Sequence, residues 1–315
     1  MGISEIFIIL IPIFFVILLG YLAGYLNVFD KHSSKGINTL VTKFALPAHL
    51  FVGVTTTPRD VLIAQWPFLI ALVLGIFVFY LVIYVIMKFG FKFTLSNAAM
   101  FSLNSAQPTF AFMGIPVLGS LFGSEVVAVP IAVTGIVVNA LLDPTATIMG
   151  TIGQREKVEN EKMGKVIVKT FAHGLREPLA LVPLIAVVLT LLGFHAPGIL
   201  ADSFNEIGDV TSGVALFAVG VTVGIRKISF NLSAFSIAIL KTIIQPALMF
   251  LIAWAMGMSQ EDTTMLVLLV AFPGSAVAAM IAVRFESMEA EAGSAFVLSA
   301  IISVLTLPFL ISLLM

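Results

Sequence analysis

The sequence predicts an all-α polytopic membrane protein in which ten transmembrane helices form two inverted five-helix repeats. Three observations lead to this fold class. Hydrophobic residues make up 60% of the 315 residues, charged residues make up only 10%, and the mean hydropathy is +1.13. Apolar runs of roughly 20 residues, the length needed to cross about 30 Å of hydrocarbon, recur along the whole chain. Helix-breaking residues recur at a nearly constant offset in the two halves.

The apolar runs divide the chain into ten predicted spans. The first span follows Met1 directly, with no basic residue before it and no cleavage site after it, so we expect no removable signal peptide. The domains are a first repeat at 1–150, a cytoplasmic linker at 151–176 and a second repeat at 177–315. The predicted spans are 4–25, 34–54, 61–87, 95–122, 125–150, 177–194, 198–225, 231–257, 262–283 and 290–314.

The distribution of Lys and Arg predicts the orientation, because basic residues are retained on the cytoplasmic side. We expect a multi-pass protein of the plasma membrane with both termini outside. The exceptions to the rule are then Arg59 in an external loop and Lys241 deep inside a span. The other fourteen of the sixteen basic residues lie on the cytoplasmic side, and they are Lys31, Lys35, Lys43, Lys88, Lys92, Arg155, Lys157, Lys162, Lys165, Lys169, Arg176, Arg226, Lys227 and Arg284.

Matching residues in the two halves indicate an internal repeat. Because each half has five spans, an odd number, the second half must have the opposite topology to the first, as in many secondary transporters. Each match is weak alone, but the matches share an offset of 165 or 166 residues. The matched positions are Pro12 with Pro178, Pro47 with Gly213, Leu50–Phe51 with Leu216–Phe217, and Pro108 with Pro273.

Spans four and nine are predicted to be broken near the bilayer midplane by Pro108 and Pro273. Proline removes a backbone hydrogen bond and clashes with the preceding turn. A half-helix that begins there points unpaired N–H groups and a partial positive charge into the protein, which suits a carboxylate. The alternative is a structural kink satisfied by a neighbouring hydroxyl. The candidate substrate-binding residues at the breaks are Asn104, Gln107, Pro108, Thr109, Pro273, Gly274 and Ser275.

Charged residues inside spans supply the remaining candidates. Lys43 and Lys241 each lie about ten residues into a span, and two buried cations would match a dicarboxylate. In the alternative interpretation Lys43 snorkels to the interface and Lys241 pairs with an acid such as Asp143. Asp143, Glu206 and Asp209 are the candidates for proton or ion coupling, although exposed helix ends would also explain the last two.

We therefore expect a secondary transporter of small organic anions. A membrane sensor lacks an output domain here, and an intramembrane enzyme lacks its motifs, since Ser275 has no Gly-x-Ser-Gly context and no metal-ligand spacing or Gly-rich phosphate loop is present. We predict no cofactor, no metal and no nucleic-acid partner. The expected partners are the anion and the lipid bilayer, with a proton or sodium as candidate co-substrate and a homodimer as candidate assembly.

Five segments resemble the auxin efflux carrier family, whose bacterial members include malonate and malate permeases. The resemblance implies broken fourth and ninth helices that cross, with the substrate at the crossing. Thr109 stands where the plant carriers have Asn, and Gly274 stands where they have Gln; the long central loop of those carriers is also missing. These departures favour a smaller, more polar anion such as malate or malonate over an auxin-like monocarboxylate, which is the alternative. The similar segments are 38–48, 107–116, 241–246, 282–285 and 296–308.

Overall fold

The chain is helical almost throughout the residues that the structure, a computed structural model, describes, namely 3–154, 163–225 and 231–315. The predicted all-α class is confirmed. Outside the helices of these ranges, one isolated β-bridge joins two residues. The helices are α1 (Ile3–Tyr25), α2 (Lys31–Thr56), α3 (Arg59–Gly90), α4 (Leu95–Ala106), α5 (Phe110–Phe122), α6 (Ser124–Gly153), α7 (Met163–Arg176), α8 (Pro178–Leu191), α9 (Gly198–Gly224), α10 (Leu232–Ala255), α11 (Gln260–Ala271), α12 (Ala276–Arg284) and α13 (Glu289–Leu314).

Six of these helices, α2, α3, α6, α9, α10 and α13, are each long and apolar enough to cross a membrane. A seventh span results if α8 is joined to the part of α7 from Ile167 onward, across a bend of 69°. The membrane character of the chain is therefore clear from the helices alone. Ten spans would also require α1 and the pairs α4–α5 and α11–α12 to cross, and that count stays a prediction.

The predicted linker at 151–176 contains a helix that the sequence analysis did not predict. Helix α7 occupies its second half, while 155–162 lie outside the described residues. The chain bends between α7 and α8 at Glu177, whose ψ of 134° is extended. The cause is Pro178, since a residue before proline is sterically excluded from the helical region. The polar segment is thus partly structured and turns sharply into the next apolar helix.

Three helices widen into a π-helical turn just before a proline. In α2 the N–H of Leu46 donates to the carbonyl five residues earlier, and the N–H groups of Asp143 in α6 and Gln245 in α10 do the same. The next residue in each case is proline, which donates no hydrogen bond and crowds the preceding turn. The extra residue in the turn relieves this conflict without breaking the helix. Two of the widened turns contain a lysine: Lys43 in α2 and Lys241 in α10.

The helices pack in two groups. In the first group α1 runs along α9, and α2 packs against both α8 and α9. In the second group α4 packs against α3 and α6, while α10, α11 and α13 pack against one another. Helix α6 also contacts α2 and α8, so it joins the groups. Helices α4, α11 and α12 thus lie in the second group, whereas α5 packs mainly against α9 and α6.

Glycines make the close contact between α1 and α9. Gly20 and Gly24 in α1 face Gly220 and Gly224 in α9, with the same spacing of four residues. A Cβ atom at Gly220 would lie only 2.0 Å from the backbone oxygen of Ile17. Small residues at this spacing let two membrane helices approach until their backbones touch. The seam therefore holds together helices from opposite halves of the chain.

We expect Gly220→Ala to lower the melting temperature of the purified protein in detergent by several degrees. The added methyl group must push a backbone apart, and overpacking of this kind costs about 1 to 3 kcal/mol. Gly36→Ala in α2 is the matched control, because a Cβ atom there meets nothing within 4 Å. It should leave the melting temperature unchanged or raise it slightly, since alanine is the better helix former. Equal melting temperatures for both variants would contradict the packing of α1 on α9.

Candidate functional site

Two interruptions of the helical path lie at prolines. Helix α4 ends at Ala106 and α5 begins at Phe110, while α11 ends at Ala271 and α12 begins at Ala276. The residues before the two prolines, Gln107 and Phe272, are extended, with ψ of 115° and 149°. This backbone follows from the ring of the next residue, which excludes the helical conformation. Each break therefore separates the C-terminal end of one helix from the N-terminal end of the next.

The two breaks touch each other. The N–H of Thr109 donates to the carbonyl of Pro273 at 2.9 Å. Pro108 and Gly274 stand opposite each other as an antiparallel bridge. The structure thus brings together segments that are about half the chain length apart. All seven residues predicted at the breaks are buried, with Asn104 4% exposed and the others similarly enclosed.

Backbone N–H groups at the start of α5 and α12 have no acceptor among the described residues. In α5 these are the N–H groups of Phe110 and Ala111, and in α12 the N–H of Ala276. The hydroxyl of Ser275 accepts from the N–H of Val277 at 3.1 Å and so caps α12 in part. Helix N-termini with free donors carry a partial positive charge and attract anions. Both N-terminal ends therefore favour a negatively charged group.

Hydroxyl and amide side chains support the backbone around the breaks. The N–H of Gly274 donates to the hydroxyl of Ser299 in α13 at 2.9 Å, and that hydroxyl donates to the carbonyl of Phe296 at 2.8 Å. The Nδ2 of Asn104 donates to the carbonyl of Met100 at 2.8 Å and lies 3.5 Å from that of Ala278. Sequence reasoning missed Ser299. Its polarity did not distinguish it, because α13 also contains Ser294, Ser303, Thr306 and Ser312.

Asp143 lies beside the first break. The Nε2 of Gln107 is 3.4 Å from Oδ2 of Asp143, which α6 presents at the end of its widened turn. The other two oxygens of this pair, Oε1 of Gln107 and Oδ1 of Asp143, are buried without a hydrogen-bond partner in the described structure. A buried acceptor with no donor costs roughly 1 to 3 kcal/mol. The pair therefore contains two buried oxygens that lack a hydrogen-bond donor.

Lys241 is fully buried, and protein acceptors surround its ammonium group. Its Nζ donates to Oε1 of Gln245 at 2.6 Å and to the carbonyl of Val270, one residue from the end of α11. The Nε2 of Gln245 donates to the carbonyl of Ala106 at 2.8 Å and to that of Gly75 at 2.9 Å. No ion pair joins Lys241 to an acid in the part of the chain that the structure describes. Lys241 thus meets the C-terminal end of α11, and Gln245, a further residue that sequence reasoning missed, meets that of α4.

The remaining predicted residues lie elsewhere. Lys43 is exposed on α2, and Glu206 and Asp209 are exposed on α9. No hydrogen bond or ion pair between described residues connects them to the breaks. Asp209 lines a cavity of about 180 Å³ together with His49. The other lining residues are Ile115, Pro116, Gly119, Ser120, Ser124 and Gly208.

Comparison with known proteins agrees with this membrane architecture. A family model described as membrane transport protein matches residues 5–311. The chain is 30% identical over 302 residues to the "Uncharacterized transporter YfdV" of Escherichia coli strain K12, covering 95% of this chain and 94% of that protein. It is 26% identical over 306 residues to the "Putative malonate transporter" of Rhizobium meliloti strain 1021, covering 96% and 94%. It is also 25% identical over 235 residues to the mouse "Lysosomal cholesterol signaling protein", covering 70% of this chain and 26% of that protein.

The contact between the breaks can be tested by a disulfide, because the chain contains no cysteine. In the pairing that sets Pro108 opposite Gly274, Gln107 stands opposite Ser275. Paired residues of an antiparallel bridge have Cα atoms about 5.5 Å apart, within the range of a disulfide. We expect Gln107→Cys with Ser275→Cys to cross-link on mild oxidation, as detected by mass spectrometry. The control, Ser102→Cys with Ser275→Cys, places the first thiol more than a helical turn away and should stay reduced; equal cross-linking in both would contradict the contact.

Proposed function

Because this chain belongs to the membrane transport protein family, we propose that it is a secondary transporter of a small dicarboxylate such as malonate or malate. The family and the named bacterial relatives are transporters, so the chain is a membrane transporter and not an enzyme. The observation that carries the proposal is the meeting of two helix breaks in the protein interior. The substrate site that we propose lies at that meeting point.

The proposed architecture is ten spans in two inverted repeats, with α4–α5 and α11–α12 each counted as one span. Crosswise packing supports it, since α1 packs against α9, α2 against α8, and the first break against the second. An approximate two-fold axis in the membrane plane produces this pattern. In the proposed repeats α1 corresponds to α8 and α2 to α9, so contacts of α1 with α9 and of α2 with α8 are related by that axis. With both termini outside the plasma membrane, the cavity beside His49 and Asp209 opens toward the exterior.

An anion is the substrate class that the breaks favour. The free N–H groups of Phe110 and Ala111 begin one half-helix and that of Ala276 begins the other. Each helix end contributes roughly half a positive charge, so the two together suit a negatively charged ligand. The hydroxyls of Thr109 and Ser275 lie beside these ends and would orient carboxylate oxygens.

The enclosed position of the breaks favours a small dicarboxylate. Thr109 is 2% exposed and Ser275 is 6% exposed, so a bulky ring would require a large opening. A short dianion would place one carboxylate at each helix end. The name of the Rhizobium meliloti relative refers to malonate, which is such an anion. An auxin-like monocarboxylate would leave one helix end without a partner.

Asp143 is the proposed carrier of a coupled proton. Uptake of a dianion against 100 mV costs roughly 4.6 kcal/mol, so accumulation needs an energy source. A proton on Asp143 would supply the donor that the pair with Gln107 lacks, since the resulting hydroxyl can donate to the unpartnered amide oxygen. Because Gln107 is part of the first break, protonation of Asp143 would change a hydrogen bond at that break directly.

Counterflow in proteoliposomes tests the proposed function. Vesicles loaded with unlabelled malonate should accumulate labelled malonate transiently, and malate should compete. Citrate and indole acetate should compete poorly because they are larger. Preference for indole acetate would instead favour the auxin-like monocarboxylate carrier, and no counterflow with any of the four anions would overturn the proposal.

Thr109→Val should raise the half-saturation concentration for malonate by roughly tenfold, because a hydrogen bond to a charged group is lost while the side-chain volume is kept. The maximal rate should change less. Thr134→Val in α6 is the matched control, since this buried hydroxyl donates only to the carbonyl of Pro130 at 2.8 Å. Equal half-saturation concentrations for Thr109→Val and wild type would remove Thr109 from the site.

Asp143→Asn should abolish the acceleration of malonate uptake by an inward proton gradient while counterflow at symmetric pH persists. The amide cannot bind and release a proton in this pH range. Asp202→Asn, which changes an exposed acid on α9, is the control and should respond to the gradient like wild type. If Asp209→Asn or Glu206→Gln removes the response and Asp143→Asn does not, the coupling group lies on α9 instead.

A further inference from the structure

The C-terminal ends of α4 and α11 leave carbonyl groups without an intrahelical donor, whereas the N-terminal ends of α5 and α12 leave N–H groups without an intrahelical acceptor. The last carbonyl groups of a helix have no intrahelical donor and carry a partial negative charge. Both of these ends lie in the interior beside the breaks, where water is excluded. A soluble protein would hydrate such carbonyls, and a transporter could satisfy them with a bound cation such as Na⁺, whose ligands are oxygens.

This chain meets both ends with two side chains of α10. Lys241 donates to the carbonyl of Val270 at the end of α11, and Gln245 donates to the carbonyl of Ala106 at the end of α4. A hydrogen bond of 2.6 Å from Nζ to Oε1 connects the two side chains. The remaining N–H of the Gln245 amide donates to Gly75 in α3. The amide is therefore held at three points and cannot rotate without losing a hydrogen bond.

We propose that Lys241 is a built-in cation that neutralises the C-terminal ends of both broken helices, so that the protein transports its substrate without bound sodium. Lys241 acts directly on α11 and through Gln245 on α4. The inference rests on the proposed transport function and assigns Lys241 a positioning role within it.

This role differs from that of a substrate ligand. Lys241 is fully buried, and its Nζ donates to two protein acceptors. One is the carbonyl of Val270 near the C-terminal end of α11, and the other is Oε1 of Gln245, whose amide in turn binds the C-terminal end of α4. An ammonium in this position balances the dipoles of α4 and α11 and leaves the N-terminal ends of α5 and α12 free for the anion. Removal of the charge should therefore weaken transport of every anion alike, whatever its number of carboxylates.

Methylammonium rescue of Lys241→Ala tests the proposal in proteoliposomes. Wild-type malonate counterflow should be the same in sodium and in N-methyl-D-glucamine buffers. Lys241→Ala should reduce counterflow of malonate and of acetate by about tenfold or more, because hydrogen bonds to a charged group are lost. Methylammonium should restore much of the rate in the variant and change nothing in wild type. Lys88→Ala, which removes a lysine from another π-helical turn, should behave like wild type.

Three results would overturn the proposal. They are sodium dependence of the wild type, loss of malonate but not acetate transport in Lys241→Ala, and wild-type behaviour of that variant. Lys241→Gln keeps a donor without a charge and fills more of the space, so it gives the same comparison of the two anions if Lys241→Ala folds poorly.

A stability measurement separates this inference from the proposed function. In detergent, methylammonium chloride should raise the melting temperature of Lys241→Ala but not that of wild type, and choline chloride should raise neither. This result does not require any transported substrate. Failure of all anions in wild-type counterflow would overturn the transport proposal alone, whereas equal effects of methylammonium on both proteins would overturn the cation role.

Discussion

The exclusion of water from the membrane interior is the constraint on which this structure depends. Two interruptions of the helical path, each at a proline, are buried in the protein, and the polar groups released there must find partners in the protein. Thr109 bonds to Pro273 across the breaks, and Ser299 receives the N–H of Gly274. Lys241 and Gln245 meet the carbonyls at the two C-terminal ends. Unwound backbone is tolerated here in part because the two breaks pair with each other through a backbone hydrogen bond.

This arrangement distinguishes two kinds of helix end by their hydrogen bonding. The C-terminal ends are occupied by side chains of α10, which fix α4 and α11 relative to each other. The N-terminal ends of α5 and α12 keep free donors, and such donors favour an anion. Asp143 lies beside the segment that joins the C-terminal end of α4 to the N-terminal end of α5, because its partner Gln107 immediately follows α4. In the proposed coupling, protonation of Asp143 would act on the backbone that is proposed to bind the substrate.

The positions of the breaks could be predicted from the sequence because Pro108 and Pro273 occupy matching places in the two halves, each beside small polar residues. Proline favours a break through its local covalent geometry. It does not impose one, since Pro12, Pro130 and Pro308 lie inside continuous helices. The partners of Lys241 depend on tertiary contacts, since Val270 is 29 residues away and belongs to another helix. Gln245 is a polar residue in an apolar span, but its role depends on tertiary contacts, since Gly75 and Ala106, to which it donates, lie in other helices. Lys43 and Lys241 each lie about ten residues into a predicted span, yet the structure leaves the first exposed and buries the second.

A high-resolution structure of the protein in lipid nanodiscs with saturating malonate tests the central claim most directly. The account predicts density for the anion between the N-terminal ends of α5 and α12, within hydrogen-bond reach of Thr109 and Ser275, while Nζ of Lys241 keeps its contacts with Gln245 and Val270. Malonate bound to Lys241, or in the cavity beside His49 with the breaks unoccupied, would contradict it.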